Sequence, residues 1–169
     1  MINAYETEDG VVFDMSNLEC EALRSYAEGL LADPEHPFVE LLRSQGLVVG
    51  DTPVPHLDAL LQAFSQATKV LTAWVVAPAG RRRVTFFVGP HSAAVSRCDD
   101  GGLYADEGDM VSVWTIDSAQ LRGTFFELSA IGEPSGEGVV PTAVPEVLFS
   151  SLEQGDGTKI LVEVPRIAR

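Results

Sequence analysis

Basic side chains are scarce in this sequence: 11 Lys and Arg stand against 25 Asp and Glu, a net charge of −14. A potential that negative repels nucleic acid and anionic lipid beyond any local patch, so neither a nucleic acid nor a membrane is an expected partner. Cysteine is scarcer still. Cys20 and Cys98 are the only two, and without a CxxC or Cys/His spacing they indicate neither a zinc site nor a disulfide framework; both are expected to be reduced thiols. Long hydrophobic runs are missing, since no window approaches the roughly 18 apolar residues of a membrane span. The opening MINAYETEDG carries acids where a signal peptide needs Lys or Arg, so the expected location is the cytoplasm.

Catalytic signatures are also lacking. There is no GxSxG, Walker loop or GxGxxG, and PSGEG at Pro134 to Gly138 has neither the lysine nor the strand-turn-helix setting of a phosphate loop. His36, His56 and His91 each neighbour a proline and show no HExxH or His-x-His spacing, which places them in surface turns rather than around a metal. A Cys98/His91 dyad fails on distance, because seven residues along a strand separate two side chains by about 20 Å. The acidic stretch Asp99, Asp100, Asp106, Glu107 and Asp109 lacks the alternating oxygen ligands around a Gly and the closing Glu of an EF-hand loop, and reads as a solvated hairpin loop. No catalytic residue, cofactor site or metal site is nominated. An enzyme whose pocket gathers residues distant in sequence stays open as an alternative.

What the chain does have is the composition of one globular domain over residues 1–169. It is 46% hydrophobic and 21% charged, with mean hydropathy +0.13, far from the profile of disordered chains. VVFD at Val11 to Asp14 suits a short strand. Ser16 and Glu19 have capping-box spacing ahead of Leu18, Ala22, Leu23, Tyr26, Leu30 and Leu31, which predicts a helix through about Ala32. Phe38, Leu41 and Leu42 predict a second short helix ended by Gly46, and Gly50 to Pro55 a loop. Leu57, Leu60, Leu61 and Phe64 fall at i, i+3, i+4 and i+7 and predict a helix over Pro55 to Thr68.

The pattern then changes to β-branched and aromatic residues. Val70 to Ala77, Val84 to Val88, Ala93 to Arg97 and Met110 to Ile116 predict a four-stranded antiparallel meander. Asp117 can cap a helix from Ser118 to about Leu128, Gly132 to Gly138 reads as a loop, and Pro141 to Leu152 as a last helix. Lys159 to Val164 (KILVEV) is either a strand or a tail ordered by a partner. The expected class is α+β, an antiparallel sheet of about four or more strands packed with about five helices.

Three consecutive arginines, Arg81, Arg82 and Arg83, follow the Pro-Ala-Gly turn before the second predicted strand. Alternate strand residues face opposite sides, so the three cannot converge on one anion; charged strand ends that discourage edge pairing, or a protein-binding loop, fit better.

The stretch LLRSQGLVVGDTPVPHLDALLQAFSQATKVLTAWVVAPAGRRRVTFFVGPHSAAVSRCDDGG, Leu41 to Gly102, is a helix ending in Gly-Leu, a proline-marked loop, a Leu-rich helix and a meander with a Gly-Arg-Arg turn. This order, with the strand-then-helix opening FDMSNLECEAL from Phe13 to Leu23, resembles the EspG family, cytosolic specificity chaperones of actinobacterial type VII (ESX) secretion. The resemblance covers about 110 residues by pattern, within the usual size of one domain. It implies a pseudo-two-fold α/β fold and a non-enzymatic role, covering the aggregation-prone helical tip of a secretion substrate. It further implies substrate contacts from the loop Pro78 to Arg83 and from the last predicted helix, hence partner-binding residues Arg81, Arg82, Arg83, Val144, Val147 and Leu148. The family has two such halves and this chain little more than one, so a homodimer is expected to supply the second. A different binding role fits the charge as well: an immunity-type inhibitor whose negative field steers it to a basic toxin.

Overall fold

The computed structural model of the chain describes residues 1–31, 33–77, 80–99, 106–128, 147–153 and 159–165. It is an α+β fold built on one antiparallel sheet. A hairpin of β1 (Asn3–Thr7) and β2 (Gly10–Ser16) leads into α1 (Asn17–Ala27), α2 (Pro37–Ser44) and α3 (Pro55–Ser65). Between α2 and α3, β3 (Val48–Val49) and β4 (Thr52–Pro53) form a separate two-stranded ribbon, with β4 inside the Gly50 to Pro55 stretch read from sequence as a loop. β5 (Lys69–Ala77), β6 (Gly80–Val88), β7 (Ser92–Asp99) and β8 (Met110–Asp117) are the expected meander; a 3₁₀ turn (Ser118–Gln120), α4 (Leu121–Leu128), β9 (Val147–Glu153) and β10 (Lys159–Pro165) follow. The large sheet runs β1-β2-β8-β7-β6-β5-β10-β9, all neighbours antiparallel.

Local chemistry starts and stops the helices where side chains can satisfy the backbone. The Ser16 hydroxyl accepts the Glu19 N–H at 3.2 Å while the Glu19 carboxylate accepts the Ser16 N–H at 2.8 Å, the reciprocal box that begins α1. The helix stops at Ala27 rather than near Ala32, and Leu30 is exposed. His36 Nδ1 accepts the Phe38 N–H at the head of α2. At its end Gly46 takes φ +70°, and the Leu47 N–H reaches back to the Leu42 carbonyl at 2.9 Å, a left-handed cap that a Cβ would strain.

Apolar residues alternate along the strands and so build two cores. On one face α1 and α3 pack against the sheet around Phe13, Met15, Leu57, Leu60 and Phe87, with Phe64 meeting Phe87 edge-on at 5.1 Å between ring centres. Burying each such leucine contributes about 1.5–3 kcal/mol. On the other face Val84, Phe86 and Val95 are covered by Leu121, Phe125 and Leu128 of α4.

The C-terminal part departs from the expected helix. Pro141 to Glu146, and Val144 with them, lie outside the described residues, but Val147 to Leu152 are strand, paired through β10 from Val147↔Pro165 to Glu153↔Lys159. Val147 and Leu148 therefore lie on an edge strand and not on a helix face. Seven cross-strand pairs tie this segment to β10, an arrangement that the helix expected over Pro141 to Leu152 does not allow. Lys159 to Val164, left open between strand and tail, lies in β10, which pairs with β5 on its other side, Leu161 opposite Trp74. Among the described residues the helices are four α-helices and one 3₁₀ turn, against the five expected. None of these helices is long and apolar enough to cross a membrane.

Candidate partner-binding surface

The arginine triplet opens β6, and the strand's alternation sends its members to different tasks. Arg81 is exposed, beside the end of the β5–β6 hairpin where Val76 pairs with it. Arg82 faces the α4 side: its Nε donates to Asp99 Oδ1 at 2.8 Å and its Nη1 to the Leu128 carbonyl at 3.0 Å. A guanidinium there satisfies an orphan carbonyl and complements the negative end of the helix. Arg83 faces the α1–α3 side and is only 8% exposed, with Nη2 at 3.7 Å from Asp109 Oδ2 and a buried Nη1 that makes no hydrogen bond.

Asp99 gathers a second arginine, since Arg97 Nε donates to its Oδ2 at 2.9 Å from two residues away on β7. Partial burial acts to raise the Asp99 pKa, but hydrogen bonds from Arg97 and Arg82 and their positive charges outweigh it and hold the carboxyl below the usual range. The remaining described acids of the predicted solvated loop are folded into a turn. Asp106 N–H donates to Asp109 Oδ2 at 3.1 Å, and the carbonyls of Asp109 and Glu107 accept the N–H groups of Asn17 and Leu18 at 2.7 and 3.3 Å. The turn thus closes the first amides of α1 and supplies the counter-ion of Arg83. No group of three or more His, Cys, Asp or Glu that could hold a metal occurs among the described residues.

Both thiols are buried. Burial, with the Glu21 charge behind it, pushes Cys20 up to about 12 despite Ser96, Arg24 and Arg83 nearby, so it is no nucleophile at neutral pH. Cys98 is buried while His91 is exposed, and the pair forms no dyad.

A second surface was not singled out by sequence. The C-terminal end of α1, α2, the β3–β4 ribbon and α3 enclose a groove of about 480 Å³. Val39, Val48 and Leu61 lie buried along it, while Asp33, Asp51 and Asp58 supply carboxylates. Arg43 ties its walls together, donating to the Pro34 carbonyl at 2.7 Å and to the Gly50 carbonyl at 3.3 Å, and pairing with Glu40 and Asp51 at 3.1 and 3.2 Å. The acids come from three separate segments, so only the fold unites them.

No protein-family model matches the chain, and no curated protein matches it significantly.

Proposed function

We propose that this chain is a non-enzymatic, cytoplasmic protein-binding adaptor, a chaperone that holds a helical secretion substrate in the manner of the EspG family it resembles. The observation that supports the reading is the fold of the resembling segment. α2 ends in the Gly46–Leu47 cap, the Leu-rich α3 follows the proline-marked ribbon, and β5, β6 and β7 form the meander from Lys69 to Asp99. With Arg82 and Arg83 holding α4 and the α1 turn, Arg81 is the member of the triplet that a partner would meet. The expected mode is contact at the end of the β5–β6 hairpin, with a second copy completing the family's two halves.

The test is affinity capture from the source cell with wild-type protein and Arg81→Glu, at low and moderate salt, followed by mass spectrometry. Recovery of a small helical secretion substrate, reduced by Arg81→Glu, supports the chaperone. Capture that Arg81→Glu leaves intact removes the hairpin from the interface, and capture of nothing removes the adaptor reading. A monomer at micromolar concentration in light scattering would remove the homodimer.

The net charge supports one rival, an inhibitor of a basic toxin, because Glu6, Glu8 and Asp9 are all exposed on the β1–β2 hairpin at the sheet's edge. Association with such a partner would slow steeply as salt rises. Salt-insensitive capture, or an acidic partner, excludes it.

A further inference from the structure

We infer that the groove between α1, α2, the β3–β4 ribbon and α3 docks a short basic, amphipathic segment of a partner protein; the inference rests on the protein-binding reading above and locates one contact surface for it. Two properties of the groove select this occupant. Its depth is apolar, formed by Val39, Val48 and Leu61, with Leu31 and Ala27 partly buried at its side.

Its charge is acidic. Asp33, Asp51 and Asp58 line the groove, and among the described lining residues the one cation is Arg43, already held by Glu40 and Asp51. Asp58 accepts from the neutral Gln62 amide at 2.8 Å and Asp33 from the Glu35 N–H at 2.9 Å, contacts that bring no countercharge. An occupant with Lys or Arg beside leucine-like residues would answer both features, with its apolar side chains in the groove and its cations over Asp51 and Asp58. An acidic segment would be repelled, and a second copy of this chain is a poor occupant because it carries a net charge of −14.

The purified full chain can be titrated, by fluorescence anisotropy, against a labelled Leu/Lys peptide of about four helical turns with amphipathic spacing. A scrambled peptide of the same composition and a Leu/Glu analogue serve as comparisons. Saturable binding of the amphipathic Leu/Lys peptide is expected, weakened about tenfold by the double variant Asp51→Lys/Asp58→Lys. Glu6→Lys/Glu8→Lys makes the same change in net charge away from the groove and is expected to alter affinity by no more than about twofold. Leu31→Asp adds a negative charge at a partly buried lining position, so a purely electrostatic attraction would strengthen, whereas apolar docking weakens. Circular dichroism confirms that each variant is folded.

No binding of the amphipathic peptide, equal binding of the scrambled one, equal loss in the Glu6/Glu8 variant, or tighter binding by Leu31→Asp would each overturn the inference. The two readings fail separately. A cellular partner that still binds Asp51→Lys/Asp58→Lys overturns the groove and leaves the adaptor; saturable, groove-dependent peptide binding with no cellular partner recovered does the reverse.

Discussion

Arg83 and Asp109 face each other at 3.7 Å, and the same aspartate's carbonyl accepts the Asn17 N–H at 2.7 Å. A buried strand residue is thereby coupled to the start of α1 through the Asp106–Asp109 turn, which comes after β7 in the chain. The cation is imperfectly compensated, since its Nη1 is buried without a hydrogen bond.

That geometry separates three substitutions. Arg83→Ala leaves space and an uncompensated Asp109, and is expected to cost about 2–3 kcal/mol, toward the lower end for breaking a buried pair because the separation is long. Arg83→Met keeps most of the packing and removes the unsatisfied donor but also leaves Asp109 without its counter-ion, so its expected cost is about 1–2 kcal/mol, below that of Arg83→Ala. Arg81→Ala, on the surface, should stay within about 0.5 kcal/mol. Urea unfolding midpoints of the three proteins check the order; Arg83→Met as harmful as Arg83→Ala would show that the charge itself is needed.

Asp99 gives a pH dependence with a definite sign. Its folded-state pKa lies below the ordinary value, so its contribution is fully present above about pH 4 and is lost as pH falls through the lower folded value. Half-exposed pairs of this kind are worth about 1 kcal/mol or less. Asp99→Asn is expected to lower stability by that amount at neutral pH and to flatten the acid limb of a stability curve followed by circular dichroism. An unchanged limb would mean that the two arginines gain nothing from the carboxylate.

Cys20 acts at the opposite end of the scale. Its thiol is held neutral up to about 12 in the fold, while an unfolded cysteine ionises near 8.5, so stability associated with it is intact below that pH and declines as pH rises toward 12. Replacing Cys20 by Ala should remove part of the alkaline decline. In the native state Ellman's reagent is expected to react slowly with both buried thiols, and to titrate two per chain once urea has unfolded it.

The head of α1 offers a test of local chemistry. Ser16→Ala deletes the acceptor for the Glu19 N–H and should cost about 1 kcal/mol, whereas Leu57→Ala, which hollows the larger core, should cost about 2–5 kcal/mol. Thermal melts distinguish the two directly.

Much of this fold was legible because its signals are local. The Ser16/Glu19 box, the Gly46 cap, the apolar stripe of α3 and the period-2 runs of β5 to β8 each depend on residues within a few positions of one another, and each is observed. β1 was missed because NAYET is wholly exposed and shows no apolar alternation; its partner β2 supplies the pairing. Val147 to Leu152 misled for a related reason: six residues with mixed apolar spacing suit either period, and β10 decides between them. The Gly-Asp-Gly stretch before Lys159 is a turn-rich sequence that could have signalled a hairpin. Strand alternation did imply that the three arginines could not share a ligand. That Arg82 would reach Leu128 and Arg83 would meet Asp109 depends on tertiary packing, as does the union of Asp33, Asp51 and Asp58 around one groove.

Strand β2 lies beside β8, where the Ser112 hydroxyl donates to Asp14 Oδ1 at 2.6 Å across 98 residues of chain. On a ribosome adding about 5–20 residues per second, β2 waits several seconds for that neighbour. During the wait Phe13 and Met15, both buried in the finished protein, have only the first helices to shelter them. Closing so long a loop is also slow compared with pairing β5 to β6 or β6 to β7. The apolar side of the first hairpin is thus among the last surfaces of the fold to be covered during synthesis.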